Sequence, residues 1–304
     1  MLSKTSNLEF RRSLPMQMLL FALPIMAMNI LQLLFNAADM IVVGRFSGSQ
    51  ALAAVGATGS LINLIVNLFM GLSVGTTVVL ANDYGAQKYD DIKQTVHTSL
   101  AVSLISGVFV MIIGLLFCVP LLEMMGTPDD IIDGSALYMK IYFLGLPASM
   151  IYNFGAGILR AIGDSRRPMF FLTIAGIVNV IFNLFFVIVL HMGVAGVAWA
   201  TVISQYLSMA LILLSLTRSH GPIRFVPRET RIHKAKLLQI VKIGLPAGLQ
   251  SLLFSISNVL IQSAVNSFGS VVVAANAAAG NVEGLISTTM NAYYNAAITF
   301  TGQR

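Results

Sequence analysis

The stretch that decides the fold is Ile30-Leu-Gln-Leu-Leu-Phe-Asn-Ala-Ala-Asp39-Met-Ile-Val-Val-Gly44, an apolar run with one acid inside it. An unpaired acid near a bilayer centre costs roughly 2.5–3.5 kcal/mol on insertion scales, and chains that carry one usually use it for ion or proton handling. The alternative is a carboxylate that a neighbouring lysine neutralises for packing. No Lys or Arg lies within five residues of Asp39, which favours the functional interpretation.

The composition around this stretch indicates a polytopic membrane protein of the all-α class. Hydrophobic residues make up 57% of the chain and charged residues only 10%, whereas a soluble domain carries about 25% charged residues. A helix needs about 20 mostly apolar residues to cross the hydrocarbon core. Eight transmembrane helices are predicted, at 14–43, 51–82, 94–122, 134–161, 168–190, 193–217, 238–266 and 271–302.

The charges between these runs are distributed very unevenly. Connections on one side hold nearly all the lysines and arginines, and the other side carries Glu123, Asp129, Asp130 and Asp133. By the positive-inside rule, both termini of the chain are predicted to be cytoplasmic, in a multi-pass membrane protein. The net charge of +6 is therefore explained by topology, with the lipid bilayer as partner, and gives no case for nucleic acid.

A basic, proline-containing stretch at 218–237 is predicted to be a cytoplasmic linker between two units. It separates a six-helix lobe, 1–217, from a partial second lobe of two helices, 238–304. Asp164, which lies among the basic residues before the fifth run, is expected to form a local salt bridge.

The second unit begins like the first. Leu23-Pro24 recurs as Leu245-Pro246 and Asn36 as Asn258, at one constant spacing. Six spans followed by a repeat predict parallel repeats, a common transporter design. The repeat partner of Asp39 is Ile261, so a cation site is expected in the first lobe only. Prolines 24, 147 and 246 lie inside predicted spans and are candidate bends.

The stretch 155–205 carries a family resemblance. It contains Gly-Ala-Gly-Ile-Leu-Arg-Ala-Ile-Gly-Asp-Ser-Arg-Arg-Pro at 155–168 and Gly-Val-Ala-Gly-Val-Ala-Trp-Ala-Thr at 193–201. With the segment 36–56 and Phe-Thr-Gly-Gln at 300–303, the chain resembles the multidrug and toxic compound extrusion (MATE) family. The resemblance implies two six-helix lobes around a central cleft and a monomer when full length. The chain would then be truncated after the second span of the C-terminal lobe.

Polar residues near Asp39 share its depth. Counted from the predicted outer turns, Asp39, Asn183 and Thr201 lie roughly 9–12 Å inside the outer boundary, and Asn179 and Asn36 lie about one turn deeper. Such a layer of oxygens could bind Na⁺ or stabilise Asp39 in two protonation states. The family resemblance implies that matching positions form the cation site of the first lobe. The alternative is plain interhelical hydrogen bonding, worth about 0.6 kcal/mol per bond.

A second acid, Glu283, is predicted near mid-membrane. It either faces the central cleft and attracts cationic substrate, or serves helix packing. Flexible Met and aromatic side chains suit varied amphipathic substrates. A subset of them is expected to line a cleft: Met139, Tyr142, Phe143, Met150, Tyr293 and Tyr294. Other branches of the family carry an acid near the position of Phe254, so this chain is closer to the DinF-like branch.

The resulting prediction is an antiporter, coupled to H⁺ or Na⁺, that exports multiple drugs or toxic, often cationic, compounds. Pro24 is its predicted hinge. The alternative is a flippase of a lipid-linked precursor, whose cavity should carry several intramembrane cations, and only Lys140 comes close. No nucleophile–base pair, phosphate loop or metal motif lies within the spans, so no enzyme activity, no cofactor and no metal beyond possible Na⁺ at Asp39 are expected.

Overall fold

The computed structural model describes residues 14–124, 127, 129–266, 286–287, 290–291, 293–299 and 301, and these residues are almost entirely helical. The long helices follow directly from the apolar runs, since a chain in lipid must satisfy its backbone hydrogen bonds internally. The helices are α1 (Leu14–Phe46), α2 (Gly48–Gly85), α3 (Tyr89–Met124), α4 (Asp129–Leu144), α5 (Leu146–Ala161), α6 (Arg166–Leu184), α7 (Gly193–Arg218) and α8 (Lys234–Asn266). A π-helical turn, Phe185–Val189, extends α6, and a 3₁₀ turn, Pro227–Glu229, lies between α7 and α8.

Six of the described helices are long and apolar enough to cross a membrane, and α4 with α5 forms a seventh, bent candidate. These seven correspond to the first seven predicted spans. The predicted eighth span, 271–302, lies mostly outside the described residues, and the count of eight helices stays a prediction. Large apolar side chains such as Phe109, Leu116 and Phe117 are exposed on α3, as expected for a surface that faces lipid.

The fourth predicted span is broken. Its two halves meet at an angle of 49° at Gly145, and Pro147 stands in the first turn of α5. A proline lacks the N–H that would continue the hydrogen bonding of the preceding turn, and the predicted bend at Pro147 is confirmed. Pro24 and Pro246 lie inside α1 and α8, which continue through them.

The described core has two large hydrophobic clusters and a small third one around Ile25 and Met28 of α1. One of the two large clusters lies toward the α1–α2 turn and includes Val43, Leu122 and Phe143. The other includes Leu80 and Ile158 and lies toward the opposite end. We call this opposite end, formed by residues 83–98 and 219–236, the basic end. The two ends of the bundle carry the two buried polar clusters of the described chain that concern function.

Candidate ion-binding site

Asp39 meets Asn183 across the boundary between α1 and α6. The side-chain amide of Asn183 donates a hydrogen bond to the Asp39 carboxylate. Asn183 is only 1% exposed, and it stands two residues before the π-helical turn. Such turns are frequent at functional sites because they reorient neighbouring side chains. Two residues 144 positions apart, predicted at the same depth, are therefore in direct contact.

A glycine allows this approach of α1 to α6. A Cβ atom built on Gly176 would lie 1.8 Å from the ring of Phe35, so only glycine leaves room for that ring. Phe35 is one turn before Asp39 on α1, and Gly176 precedes Asn179 and Asn183 on α6. Close backbone approach through small residues is the usual way membrane helices pack. The Gly176–Phe35 contact thus holds the acid and the two amides together.

Asn179 and Thr201 form the second contact of the cluster. The Asn179 amide donates to the Thr201 hydroxyl at 3.4 Å, and that hydroxyl donates to the Val197 carbonyl at 3.0 Å. The side-chain oxygens of Asn179 and Asn183 are buried and have no hydrogen-bond partner among the residues that the structure describes. A buried acceptor left unpaired costs about 1–3 kcal/mol.

The chemistry of this cluster suits a small hard cation. Carboxylate, amide and hydroxyl oxygens are the ligands that hard cations prefer. Within the described part of the chain, the ion pairs involve other acids and leave Asp39 without a cationic partner. No group of three or more His, Cys, Asp or Glu residues that could hold a metal is present among the described residues. A site here therefore depends on one carboxylate and neutral oxygens, which fits Na⁺ or a proton.

Two residues near the cluster were missed by the sequence analysis. Tyr138 lies within electrostatic range of Asp39, and its ring stacks on that of Tyr142 with centroids 6.0 Å apart. Tyr142 in turn is hydrogen-bonded to Gln205. Helical spacing could have indicated both residues, because Tyr138 lies one helical turn from Tyr142, and Gln205 lies one turn from Thr201.

The other predicted site residues lie elsewhere. Asn36 is exposed on α1, and Pro24 is half-buried within the same helix. Among the expected cleft residues, Tyr142 is half-buried, and Tyr293 and Tyr294 are exposed. Glu283 lies outside the described residues. Three more belong to the packed core and present no surface to a cleft in this structure: Met139, Phe143 and Met150.

Comparison with known proteins identifies the family. The MatE family model matches residues 24–185, a little over half of the chain. The chain belongs to the MatE family. The resemblance to the MATE transporters is therefore confirmed, and the chain is a multi-pass membrane protein. The matched region contains most of α1 and all of α6, and so includes Asp39, Asn179 and Asn183.

Similar proteins extend this result beyond the matched region. The "Probable multidrug resistance protein YoeA" of Bacillus subtilis (strain 168) is 32% identical over 262 residues, which are 83% of this chain and 56% of the relative. A MATE crystal structure in the bent conformation has a TM-score of 0.86 at 27% identity, covering 94% of this chain and 64% of that one. A MATE crystal structure in the straight conformation has a TM-score of 0.86 at 28% identity, with the same coverage.

The chain thus spans between half and two thirds of the length of these proteins. The similar proteins are transporters, in keeping with the expectation that this chain is not an enzyme.

Proposed function

We propose that this chain is the ion-coupling part of a multidrug antiporter, in which Asp39 binds H⁺ or Na⁺ in exchange for exported compounds. The substrates would be small amphipathic or cationic drug-like molecules. The protein would reside in a bacterial cytoplasmic membrane, with the basic end toward the cytoplasm. The relative named as a multidrug resistance protein supports this class of substrate.

The single observation that carries the proposal is the environment of Asp39. Its carboxylate accepts a hydrogen bond from Asn183, and the buried amide oxygens of Asn183 and Asn179 have no partner in the described part of the chain. A structural carboxylate in a bilayer would be expected to have a lysine or arginine partner. A carboxylate surrounded by neutral oxygens instead changes its net charge when it gains or loses a cation.

Antiport follows from that change of charge. When the ion is bound, the cluster is neutral and α1 can pack closely against α6 and α7. When the ion leaves, the negative charge favours a hydrated arrangement with space for a cationic substrate. The ion therefore stabilises one arrangement of the lobe and the substrate stabilises the other, so binding of each displaces the other.

Pro24 supplies the proposed mechanical element. It lies fifteen residues before Asp39, about four helical turns away on α1. A proline removes one backbone hydrogen bond and permits a bend, and the similar crystal structures are described as bent and straight. We expect ion binding at Asp39 to bend α1 near Pro24 and shrink the cavity of the first lobe. A spin-label distance between α1 and α6 that stays the same at acid and neutral pH, with and without Na⁺, during active export would contradict this mechanism.

The remaining parts of the proposal concern substrate. We expect Tyr142, Tyr293 and Tyr294 to contact substrate in a cleft that is completed by the rest of the protein. Glu283 would attract cationic compounds to it. The flippase alternative gains no support, because Lys140, its one candidate cation, is exposed on α4.

The test of this function is export of a fluorescent cation by the full-length protein in proteoliposomes. A gradient of H⁺ or Na⁺ is imposed in turn, in buffers with and without Na⁺. We expect export to follow one of the two gradients and to stop when both are collapsed. Export that persists at the same rate without either gradient would refute ion-coupled antiport.

A further inference from the structure

The basic end contains a buried acid that, unlike Asp39, has a cationic partner. Asp83, near the end of α2, is 8% exposed, and Lys236, in the first turn of α8, is 5% exposed. The Lys236 ammonium lies 2.8 Å from the Asp83 carboxylate. The Thr95 hydroxyl of α3 donates to the same carboxylate oxygen at 2.9 Å. Three helices from both sides of the 219–233 segment therefore meet at one carboxylate.

A second acid lies on the route from this pair to solvent. Asp91 is 3.6 Å from the Lys236 ammonium, and its side chain is 38% exposed. Lys236 is thus attached to one carboxylate in the interior and to another at the surface. If the end opened, Asp91 could keep hold of the lysine while Asp83 became hydrated.

The backbones of α2 and α8 touch directly below this pair. A Cβ atom on Gly75 would lie 2.4 Å from the Ile240 carbonyl oxygen, and one on Gly71 would lie 2.2 Å from the Gly248 nitrogen. Gly71 and Gly75 are four residues apart, as are Gly244 and Gly248, which is the spacing that lets membrane helices approach closely. We call this close contact between α2 and α8, which involves Gly71, Gly75, Gly244 and Gly248, the seam.

The segment before α8 is tied to α3 beside the pair. The Val226 N–H donates to His97 Nε2 at 3.2 Å, and His97 Nδ1 faces the Lys93 carbonyl at 2.8 Å. These contacts use both ring nitrogens of a neutral histidine, one as donor and one as acceptor. Close by, the His233 N–H donates to the Thr98 hydroxyl at 3.1 Å. The start of α8 is therefore fixed on the side of α3 that presents Thr95.

We propose that Asp83, Lys236 and Thr95 form a buried ionic gate that holds the basic end closed and must separate when that end opens to load substrate. A buried ion pair is stable when both charges are seated together or when both are hydrated, and it disfavours every arrangement between. Such a pair makes the closed and open states distinct, which an alternating-access cycle requires. The inference deepens the proposed transport function and rests on it for the role of opening.

The gate can be tested without measuring transport. Val79 lies one turn from Gly75 and one turn from Asp83 on the same stripe of α2, and it is 4% exposed. Cys118, the one cysteine of this chain, and any cysteine of the full-length protein outside it are replaced by serine. Val79→Cys is then introduced into that protein in nanodiscs. The measured quantity is the rate at which a water-soluble maleimide modifies this thiol.

We expect Asp83→Asn and Lys236→Met to raise the modification rate by roughly ten-fold or more, because each leaves an unpaired buried group that draws water into the seam. Exchange of the two charges, Asp83→Lys with Lys236→Asp, should restore the slow rate to within about two-fold, since the pair is re-formed. The matched control is the exposed pair of Lys93 and Glu229, whose nitrogen and oxygen are 2.6 Å apart. Its removal should leave the rate unchanged.

Single variants that keep the wild-type rate would overturn the gate, and so would a charge-exchanged protein as reactive as the single variants. If the single variants fail to insert, the charge-exchanged protein provides the test: a slow modification rate supports the gate, and a fast one contradicts it. If the wild-type protein shows no gradient-driven export but the maleimide modification rates change as expected, the transport proposal fails and the gate stands.

Discussion

Asp39, which is half-buried, and Asp83, which is buried, stand in opposite kinds of environment. Asp83 accepts hydrogen bonds from an ammonium and a hydroxyl of the protein, and a second acid lies nearby. Asp39 has one amide donor, and two unpaired amide oxygens lie beside it. Between Gly48, beside the α1–α2 turn, and Asp83, α2 rises about 50 Å at 1.5 Å per residue. A carboxylate paired within the protein suits holding helices together, and one without a cationic partner suits binding an ion that comes and goes.

Removing the charge at Asp39 should have the largest effect on export. Asp39→Asn keeps the size and polarity of the side chain but can neither lose a proton nor supply a negative ligand. We expect gradient-driven export to fall to the level of vesicles without protein, while insertion and expression stay normal. The matched control is Asp133→Asn, which alters an exposed acid on α4 and should export at the wild-type rate. Normal export by Asp39→Asn would remove Asp39 from the mechanism.

The amide that holds Asp39 should have the next largest effect. Asn183→Ala removes the donor to the carboxylate and one of the two unpaired oxygens. A hydrogen bond to a charged group is worth about 1.5–3 kcal/mol, so the ion concentration for half-maximal export should rise roughly ten-fold. Asn153→Ala is the control, because the Asn153 amide bonds to Ser149 within α5. Equal shifts in the two variants would mean that Asn183 has no special role.

The seam below Lys236 is predicted to be sensitive to a single methyl group. Gly75→Ala would place a carbon against the Ile240 carbonyl oxygen, and overpacking of this kind costs about 1–3 kcal/mol. Gly59→Ala, in the same helix α2, meets nothing within 4 Å and gains helix propensity. We expect a clear drop in apparent melting temperature in detergent for Gly75→Ala and none for Gly59→Ala. Similar melting temperatures for the two would contradict close packing of α2 on α8.

The exposed ion pair at the basic end should have the smallest effect. The hydrogen bond and charge of Lys93 hold the pKa of Glu229 below its ordinary value of 4.5. A depressed pKa means that the pair contributes above the unfolded pKa of Glu229 and that its contribution disappears as pH falls through the folded one. Because both side chains are half-exposed, solvent screens them, and Glu229→Gln should leave the melting temperature at pH 7 unchanged. A large drop would show that the exposed pair, rather than Lys236, fixes this end.

The helices and the Asp39 contact were largely predictable from the sequence. Apolar runs of sufficient length determine spans, and depth along each helix brings Asp39, Asn183 and Thr201 to one layer. The local ion pair of Asp164 with Arg167 was also expected and is confirmed at 2.8 Å. Partners three residues apart on a helix are constrained by its geometry.

The gate could not be predicted in the same way. Lys236 is 153 residues from Asp83 in sequence, and no periodicity links residues so far apart. Because Lys236 lies in a basic stretch, it was assigned to the predicted linker at 218–237. In the structure α8 already begins at Lys234, so Lys236 belongs to that helix. Tertiary packing, through glycines 71, 75, 244 and 248, decides which of the many basic residues is buried.

The central claim is that substrate displaces an ion from Asp39, and ion release tests it most directly. The fluorescent cation is added to the purified full-length protein in weakly buffered solution, once without Na⁺ and once with Na⁺ bound. Protons or Na⁺ released are counted for the wild type and for Asp39→Asn. The account predicts about one ion released per bound substrate molecule by the wild type and none by Asp39→Asn, since antiport couples the two binding events reciprocally. Equal release by both proteins would show that the coupling ion binds elsewhere.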